Sequence, residues 1–252
     1  MRELIENSNS YMKLYDAITW HNIKKYLPND RNSLVLDAGG GTGRWAIPIA
    51  KLSYKVVMVD ISKGMLEVAR KKIERKNLKN IKFVRMDIRE MAFEDETFDF
   101  VLAEGDPVSY CGDPEIALSE IFRVLKRGCF ACISVDSKFS MALKFLLKGR
   151  MEELEGFLET GKTLFPSNTK DGFETRAFAL RELRVLFEKV GFETVSIIGK
   201  PLFSRFIERG TLEELLKDEK SFEKILDLEL TYCKEESLVG FGGHLEAVGR
   251  KR

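Results

Sequence analysis

The 252-residue sequence contains no glutamine, and it has no apolar run approaching the roughly 18 residues that a membrane-spanning helix needs. Its 41 lysines and arginines nearly balance its 40 aspartates and glutamates, so no overall field favours nucleic acid or an anionic membrane. The first residues include acids and lack an apolar segment, which argues against a secretory signal. We therefore expect a cytoplasmic protein without a membrane anchor. Many charged side chains and few amides also fit a thermophile source.

Cysteine is scarce too, and the four cysteines provide a single C-x-x-C pair, Cys129 and Cys132, inside an apolar run typical of a strand. A structural zinc site would need a second pair, and residues three apart on a strand face opposite sides. We expect these cysteines to be small buried side chains, and we predict no metal site.

The most informative stretch is Val35–Gly43, where a short apolar run enters a glycine-rich turn and a helical pattern follows. Glycines in such a turn allow positive φ and leave no Cβ to keep a ligand away from the backbone. The dinucleotide pattern G-x-G-x-x-G fails, because Arg44 occupies its third glycine position. The spacing that holds is Asp37-x-Gly39-x-Gly41-x-Gly43. An aspartate before the turn would repel a pyrophosphate, but it suits a ligand that carries an ammonium group and no phosphate.

A second acid lies at the end of the next predicted strand, Lys55 to Asp60, which is apolar enough to be buried on both faces. An acid at the tip of the second strand of a βαβ unit can accept hydrogen bonds from the two hydroxyls of a ribose. NAD and S-adenosylmethionine both carry that ribose, so Asp60 alone does not separate them. Ser62 then offers an N-cap for a helix from Met65 to Lys76.

With Asp37 and its three spaced glycines, the sequence resembles the class I S-adenosylmethionine-dependent methyltransferases, whose first motif is an acidic residue followed by G-x-G-x-G. A later acidic turn followed by Phe98-Asp99-Phe100-Val101 is also typical of that family. The resemblance implies that Asp87 takes the adenine amino group and the backbone of Ile88 a ring nitrogen. The cofactor is then S-adenosyl-L-methionine, and its implied binding residues are Asp37, Gly39, Gly41, Gly43, Asp60, Ile61, Asp87, Ile88 and Glu104.

Alternating strand and helix patterns predict an α/β fold, a doubly wound seven-stranded mostly parallel sheet with helices on both faces. The resemblance implies that the last strand, His244 to Arg250, is reversed. We expect a single methyltransferase domain over 1–252, with leading helices in 1–30 and two helical cap insertions, 137–172 and 200–237. Long insertions in a compact domain are usually functional lids, so both are expected to cover the carboxyl ends of the strands.

The fourth strand ends in Glu104-Gly105-Asp106-Pro107, where doubly wound sheets hold the reacting part of a ligand. Methyltransferases that act on amide or adenine nitrogen carry N-P-P-Y or D-P-P-Y here, and Val108 and Ser109 break that match. Methyl transfer often needs little beyond alignment, so an enzyme without a dedicated base is the first expectation. The candidate catalytic residues, should a base be used, are Asp106 and His244, which a reversed last strand would bring to the cofactor side.

Residues 63–89 carry ten basic side chains against three acids, which favours either an RNA footprint or a solvated helix face. We prefer the solvated face, because no aromatic residues interleave on the helix and residues 90–104 restore acidic charge. The predicted function is methyl transfer to a nucleophile on a small-molecule acceptor, with nucleic acid unlikely. The alternatives are an RNA-directed methyltransferase or RNA-associated cofactor-binding module and, disfavoured by Arg44, an NAD-linked oxidoreductase.

Overall fold

The computed structural model describes residues 9–165 and 172–252, in which a seven-stranded sheet is packed between helices. In chain order the elements are α1 (Ser10–Ile23), β1 (Leu34–Ala38), α2 (Ala46–Lys51), β2 (Lys55–Asp60), α3 (Lys63–Arg75), β3 (Ile81–Arg85), β4 (Phe98–Ala103), α4 (Pro107–Tyr110), α5 (Pro114–Val124), β5 (Leu125–Asp136), α6 (Lys138–Leu147), α7 (Met151–Thr160), β6 (Lys162–Phe165), β7 (Phe173–Arg176), α8 (Leu180–Val190), β8 (Phe192–Lys200), a 3₁₀ turn η1 (Ser204–Phe206), α9 (Arg209–Leu215), α10 (Glu219–Tyr232), α11 (Glu236–Val239) and β9 (His244–Lys251).

The strand order in the large sheet is β3-β2-β1-β4-β5-β9-β8. The pairs among the first five strands are all parallel, whereas β9 runs antiparallel to both β5 and β8. This confirms the predicted mostly parallel sheet with a reversed last strand. The order changes direction between β1 and β4, and ligands of doubly wound sheets bind outside the carboxyl ends of the strands at such a point.

Strand residues alternate between two apolar layers because successive side chains point to opposite faces of a sheet. On β1, Leu36 packs into the layer that holds α5 and α8, whereas Val35 packs into the layer that holds α1, α2 and α3. The cysteine pair on β5 divides in the same way: Cys132 is buried in the second layer and Cys129 packs against the first. Both cysteines are free thiols; Cys132 is buried as predicted, whereas Cys129 is only partly buried.

Local capping signals place two of the helices close to their predicted positions. Ser62 accepts a hydrogen bond from the amide of Met65 and caps α3, which begins two residues earlier than predicted. Asp113 accepts from two amides of the first turn of α5, and Pro114 follows as its first residue. The sequence pattern predicts that this helix runs to Lys126 and is closed by Arg127-Gly128, and that prediction is wrong. Helix α5 ends at Val124, because Leu125 already pairs with Phe98 of β4.

The two insertions leave the carboxyl ends of β5 and β8, the edge of the sheet where a ligand was expected. The first contains α6 and α7. The sequence pattern also predicts a loop around 166–172, of which 166–171 lie outside the described residues, and a return to the core pattern at Phe173–Phe178. Instead, residues 173–176 form β7 of a separate two-stranded sheet with β6. The second insertion contains η1, α9 and α10.

Within the described chain, no helix combines the length and apolar character needed to cross a membrane.

A buried lysine joins the carboxyl end of β4 to β8, β9 and α1. The ammonium of Lys200 lies 2.8 Å from a carboxylate oxygen of Glu104, bonds Glu246, and donates to the hydroxyl of Thr19 at 2.9 Å. The side chains of Lys200, Glu104 and Glu246 are fully buried. Burial and the charge of Glu246 raise the pKa of Glu104 to about 8, despite the opposing effect of Lys200. Glu104 is therefore protonated at neutral pH, and Glu246 balances the ammonium.

Removal of the ammonium should be far more damaging than removal of the Glu104 charge. Lys200→Met is expected to lower the free energy of unfolding by about 3–5 kcal/mol, because it leaves two buried carboxyl groups without a cation. The matched Glu104→Gln variant keeps the shape of the protonated acid and should lose no more than about 1 kcal/mol at pH 7. Urea unfolding measures both changes, and equal losses would contradict the assigned charge states.

The same cluster predicts a pH dependence with a definite sign. The pKa of Glu104 is about 8 in the folded protein and near 4.5 otherwise, so folding takes up a proton between these values. The stability of the wild type relative to Glu104→Gln should be greatest below pH 4.5, fall as the pH rises, and level off above pH 8. A difference that stays constant over this window would disprove the raised pKa.

The turn after β1 offers a matched pair of glycine substitutions. Gly39 (φ +76°) and Gly41 (φ +56°) both have left-handed backbones. A Cβ at position 39 would lie 2.5 Å from Cβ of Pro107, whereas a Cβ at position 41 would meet nothing within 4 Å. Gly41→Ala should therefore cost only the backbone strain, about 1–2 kcal/mol. Gly39→Ala should cost about 1–3 kcal/mol more from overpacking. Thermal unfolding without cofactor tests this order, and equal costs would contradict it.

Candidate functional site

The glycine turn between β1 and α2 presents bare backbone at the carboxyl edge of the sheet. The amides of Gly39 and Gly40 donate to the carbonyl of Val59 at 2.8 and 2.9 Å, which fixes the turn against β2. Asp60 holds the far side: its Oδ2 accepts from the amide of Gly41 and its Oδ1 from the amide of Ser62, both at 2.8 Å. Each carboxylate oxygen has a second lone pair, so Asp60 can also accept from ribose hydroxyls.

Asp37 lies beneath this turn and is completely buried. Its Oδ2 accepts from the amide of Ala46 at 3.0 Å, whereas its Oδ1 has no hydrogen-bond partner. Burial raises the pKa of Asp37 to about 7, with a smaller rise from Asp60 and an opposing effect from the Ala46 amide. A Cβ at position 40 would lie 2.8 Å from Asp37 Oδ2, so only glycine leaves the carboxylate so close to the loop. A ligand ammonium above the loop would complement this charge.

Arg44 has a structural role that the sequence analysis missed. Its guanidinium forms an ion pair with Asp16 of α1 and lies over the rings of Tyr15 and Trp45, 5.2 and 5.6 Å from their centroids. Asp16 is 1% exposed, so this is a largely buried contact. The leading helix is thereby attached to the glycine turn. Arg44 was considered only as a mismatch to the dinucleotide pattern, and no local signal pointed to a partner 28 residues earlier.

The predicted adenine-binding residues lie at the carboxyl side of β2 and β3. Asp87 is bound by the guanidinium of Arg89 through both carboxylate oxygens, and this contact lowers the pKa of Asp87. The side chain of Ile88 packs into the core, which leaves its backbone for the implied contact with a ring nitrogen. Ile61, by contrast, is 61% exposed directly after Asp60 and offers an apolar surface to a flat ligand.

Glu104 was predicted to bind the cofactor, but its side chain is fully buried against Lys200. Only its main chain is left for such a role. Gly105 follows with φ +88°, and a Cβ there would meet nothing within 4 Å. Open space therefore lies over both Gly41 and Gly105, on the two sides of the crevice between β1 and β4.

Asp106 adopts a left-handed backbone (φ 65°, ψ 32°), which is uncommon for a residue other than glycine. Two contacts with β5 support it, since the amides of Gly105 and Asp106 both donate to the hydroxyl of Ser134, at 2.9 and 3.0 Å. Burial by itself would raise the pKa of Asp106, but His244 and Ser134 outweigh burial and lower it. A buried carboxylate is thus kept charged in a strained turn, a combination concentrated at functional sites.

His244 lies beside Asp106, with Nδ1 2.7 Å from Asp106 Oδ2 and 3.7 Å from Asp136 Oδ1. It begins the reversed strand β9 and pairs with Asp136, the last residue of β5, so the predicted position at the carboxyl edge is confirmed. The ring of Tyr15 makes an edge contact with the imidazole at 5.3 Å between centroids. Burial, and then the charge of Asp106, raise the pKa of Asp136.

The same three side chains have the composition of a metal site. One potential ligand atom from each of Asp106, Asp136 and His244 lies within 4.8 Å of the others. The sequence analysis predicted no metal, and a His–Asp proton-transfer pair and a cation site are the two chemistries this arrangement permits.

His244 also lies on the wall of a pocket of about 450 Å³, between the start of α1, helix α6 and the η1–α9 segment. The predicted leading helix and both predicted insertions therefore contribute to it. The volume lies within the range of small-molecule sites, about 300–1,000 Å³. Tyr11 lines this pocket, whereas Tyr15 is buried beneath it.

Comparison with known proteins agrees with this geometry. A family model described as a methyltransferase domain matches residues 35–128. The chain is 24% identical over 245 residues to the tRNA 5-carboxymethoxyuridine methyltransferase of Escherichia coli (strain K12), covering 95% of this chain and 88% of that protein. It is 29% identical over 215 residues to a demethylmenaquinone methyltransferase of Staphylococcus carnosus, covering 75% and 83%.

Solved structures show the same fold at lower sequence identity. An S-adenosylmethionine-dependent methyltransferase from Methanosarcina mazei superposes with a TM-score of 0.64 at 20% identity, over 91% of this chain and 96% of that one. A putative S-adenosylmethionine-dependent methyltransferase from Listeria monocytogenes also gives 0.64 at 20% identity, over 95% and 99%. With this sheet order, this glycine turn and a methyltransferase-domain model that matches residues 35–128, the chain has the class I fold of S-adenosylmethionine-dependent methyltransferases.

Proposed function

We propose that this enzyme transfers the methyl group to a nucleophile on a small molecule bound in the 450 Å³ pocket. The observation that carries the proposal is the position of His244, which lines that pocket and contacts Asp106. Asp106 in turn precedes Pro107, whose ring packs directly against Gly39 of the cofactor turn. His244, Asp106 and Pro107 would therefore separate the acceptor pocket from the cofactor crevice, and the two ligands would meet there.

The cofactor would be held by residues that the described geometry brings to one crevice. Asp60 would accept from the ribose hydroxyls, and the buried charge of Asp37 would attract the methionine ammonium through the bare backbone of Gly40. Ile61 and the backbone of Ile88 would contact the adenine, with Asp87 able to accept from its amino group beside Arg89. When bound, S-adenosylmethionine supplies an electrophilic methyl group on a sulfonium.

His244 would act as the general base and Asp106 would orient it. The sequence left three possibilities: no dedicated base, Asp106, or His244. The 2.7 Å contact favours a shared role, because Asp106 engages Nδ1 and leaves Nε2 for the acceptor. Asp106 also stabilises the imidazolium that forms when the acceptor loses its proton. A hydroxyl or protonated amine would gain from this arrangement, whereas an acceptor already ionised at neutral pH would not need it.

An RNA acceptor is the second candidate, and two observations favour it. The Escherichia coli relative is named as a tRNA methyltransferase. On α3, the edge strand β3 and the loop between them, the exposed cations Lys71, Arg75, Lys79 and Lys82 form no ion pair with the described residues. Methylation that appears in nuclease-sensitive material and weakens steeply with salt would select this alternative over a small molecule.

Loss of the Asp60 charge should weaken cofactor binding without unfolding the protein. Asp60→Ala is expected to cost about 2–3 kcal/mol of binding free energy, because the ribose hydroxyls lose a charged acceptor. Asp227→Ala removes an exposed acid from α10 and serves as the matched control, with no expected change. Calorimetric titration with S-adenosylmethionine measures both. Wild-type affinity in a folded Asp60→Ala protein would rule out this assignment.

Loss of the proposed base should affect turnover and spare cofactor affinity. His244→Ala is expected to lower kcat by about 100-fold or more and to flatten the dependence of kcat on pH, because the group that accepts the proton is lost. Asp106→Asn should reduce kcat less and should keep that pH dependence. The assay follows labelled methyl from the cofactor into a low-mass extract of the source cells. An unchanged pH profile in His244→Ala would eliminate the base.

The same assay distinguishes proton transfer from metal catalysis. If His244 is a base, treatment with EDTA followed by desalting should leave turnover unchanged. Loss of turnover that Mg²⁺ or Mn²⁺ restores would reassign Asp106, Asp136 and His244 as ligands of a cation.

A further inference from the structure

The acceptor pocket contains a cation that lacks an anion. Arg205, on η1, is half-buried, and burial lowers its pKa. Its guanidinium donates to the carbonyl of Phe241 and lies over the ring of Phe206 at 4.8 Å. No carboxylate in residues 9–165 or 172–252 lies within ion-pair distance of it. A guanidinium removed from water without a counter-ion is costly unless a ligand supplies the negative charge.

A second cation lines the same pocket, and two of the lining serines have unsatisfied hydroxyls. Lys144, on α6, also lines the pocket and forms no ion pair with the described part of the chain. Its charge reaches the inner end of the pocket, since it acts to lower the pKa of Asp136. The hydroxyl oxygens of Ser140 and Ser204 are buried in the pocket lining without any hydrogen-bond partner. Buried hydroxyls are normally satisfied, so these two are donors awaiting a ligand.

The neighbouring charges do not neutralise this pair. Glu213 is an acid that lines the same wall, but it is already paired with Arg209 at 3.1 Å. It therefore does not serve as the counter-ion of Arg205 or Lys144. At the inner end, Asp106 and Asp136 lie against His244. Arg205 and Lys144 are therefore left as unpaired positive charges in the pocket that His244 also lines.

We propose, building on the proposed function, that the acceptor carries a carboxylate or phosphate in addition to its nucleophilic atom, and that Arg205 with Lys144 selects it. The anionic group would lie against the Arg205 guanidinium and accept from the Ser140 and Ser204 hydroxyls. The nucleophile would then face Nε2 of His244. Arg205 serves as a specificity-determining residue and takes no part in proton transfer, so its loss should raise KM with little change in kcat.

The test uses the methylated products of the low-mass extract. With wild-type enzyme, we expect mass spectrometry of the labelled product to show a carboxylate or a phosphate, and we expect the label to survive mild alkali. Either anionic group supports the proposal. A labelled product that contains neither group would overturn it. So would alkali-labile methyl, because a methyl ester would mean that the anionic group is itself the acceptor.

Kinetics with the purified acceptor test the residues. Arg205→Met is expected to raise KM by at least 10-fold with kcat within about twofold, and Arg205→Lys should recover part of the loss. Lys148→Met is the control for the loss of a positive charge outside the pocket. Lys148 lies one turn after Lys144 and does not line the pocket, so this variant should behave as wild type. Wild-type KM in a folded Arg205→Met protein would overturn the assignment. If no low-mass compound is labelled, or the label enters RNA, the proposed function itself fails.

Discussion

The buried ammonium of Lys200 is the constraint on which the arrangement of the site depends. Its partners come from three other elements: Glu104 after β4, Glu246 on β9 and Thr19 on α1. On β9, residues two apart share a face, so the register that brings Glu246 to Lys200 also brings His244 to the same side. Asp106 follows Glu104 by two residues in the turn after β4. A one-residue slip of β9 would remove Glu246 from the ammonium and would turn His244 away from Asp106, so one buried charge specifies both contacts.

Much of the fold could be predicted because its signals are local. Ser62 and Asp113 cap the helices that follow them, and the positions of Asp37 and Asp60 at strand tips follow from short apolar runs that end in an acid. The reversed β9 came from the family resemblance and not from periodicity. The wrong predictions concern segments whose structure depends on the strand with which they pair. Strand β5 begins at Leu125 because β4 pairs with it there, and β7 leaves the main sheet because β6 is its partner. Such partners cannot be identified from one segment's pattern.

The site was predicted less completely than the fold, for the same physical reason. Asp106 and His244 were each identified, yet nothing in the sequence indicated that they touch, since they lie 138 residues apart and meet only through the sheet. Glu104 was assigned to the cofactor because it ends β4, but its side chain belongs to Lys200, which was seen only as the start of an insertion. Arg205 had no motif at all. Arg205 stands out only because no carboxylate of the described residues pairs with it in the folded chain, and a sequence does not show which charges meet.

The charged groups divide by sign along the cleft. In the described parts of the chain, Asp16, Asp37, Glu104 and Asp106 each have one buried carboxyl oxygen without a hydrogen-bond partner, and all four surround the glycine turn and the end of β4. Asp16 is paired with Arg44 and Glu104 is protonated, so the negative charge on this side comes from Asp37 and Asp106. The unpaired cations of the pocket, Arg205 and Lys144, lie beyond His244. S-adenosylmethionine carries its positive charges on the sulfonium and the ammonium, so a negative crevice favours it. The positive charges of Arg205 and Lys144 would in turn favour an anionic acceptor. Each ligand would thus be disfavoured in the other's position, which orders the two reactants without any moving part.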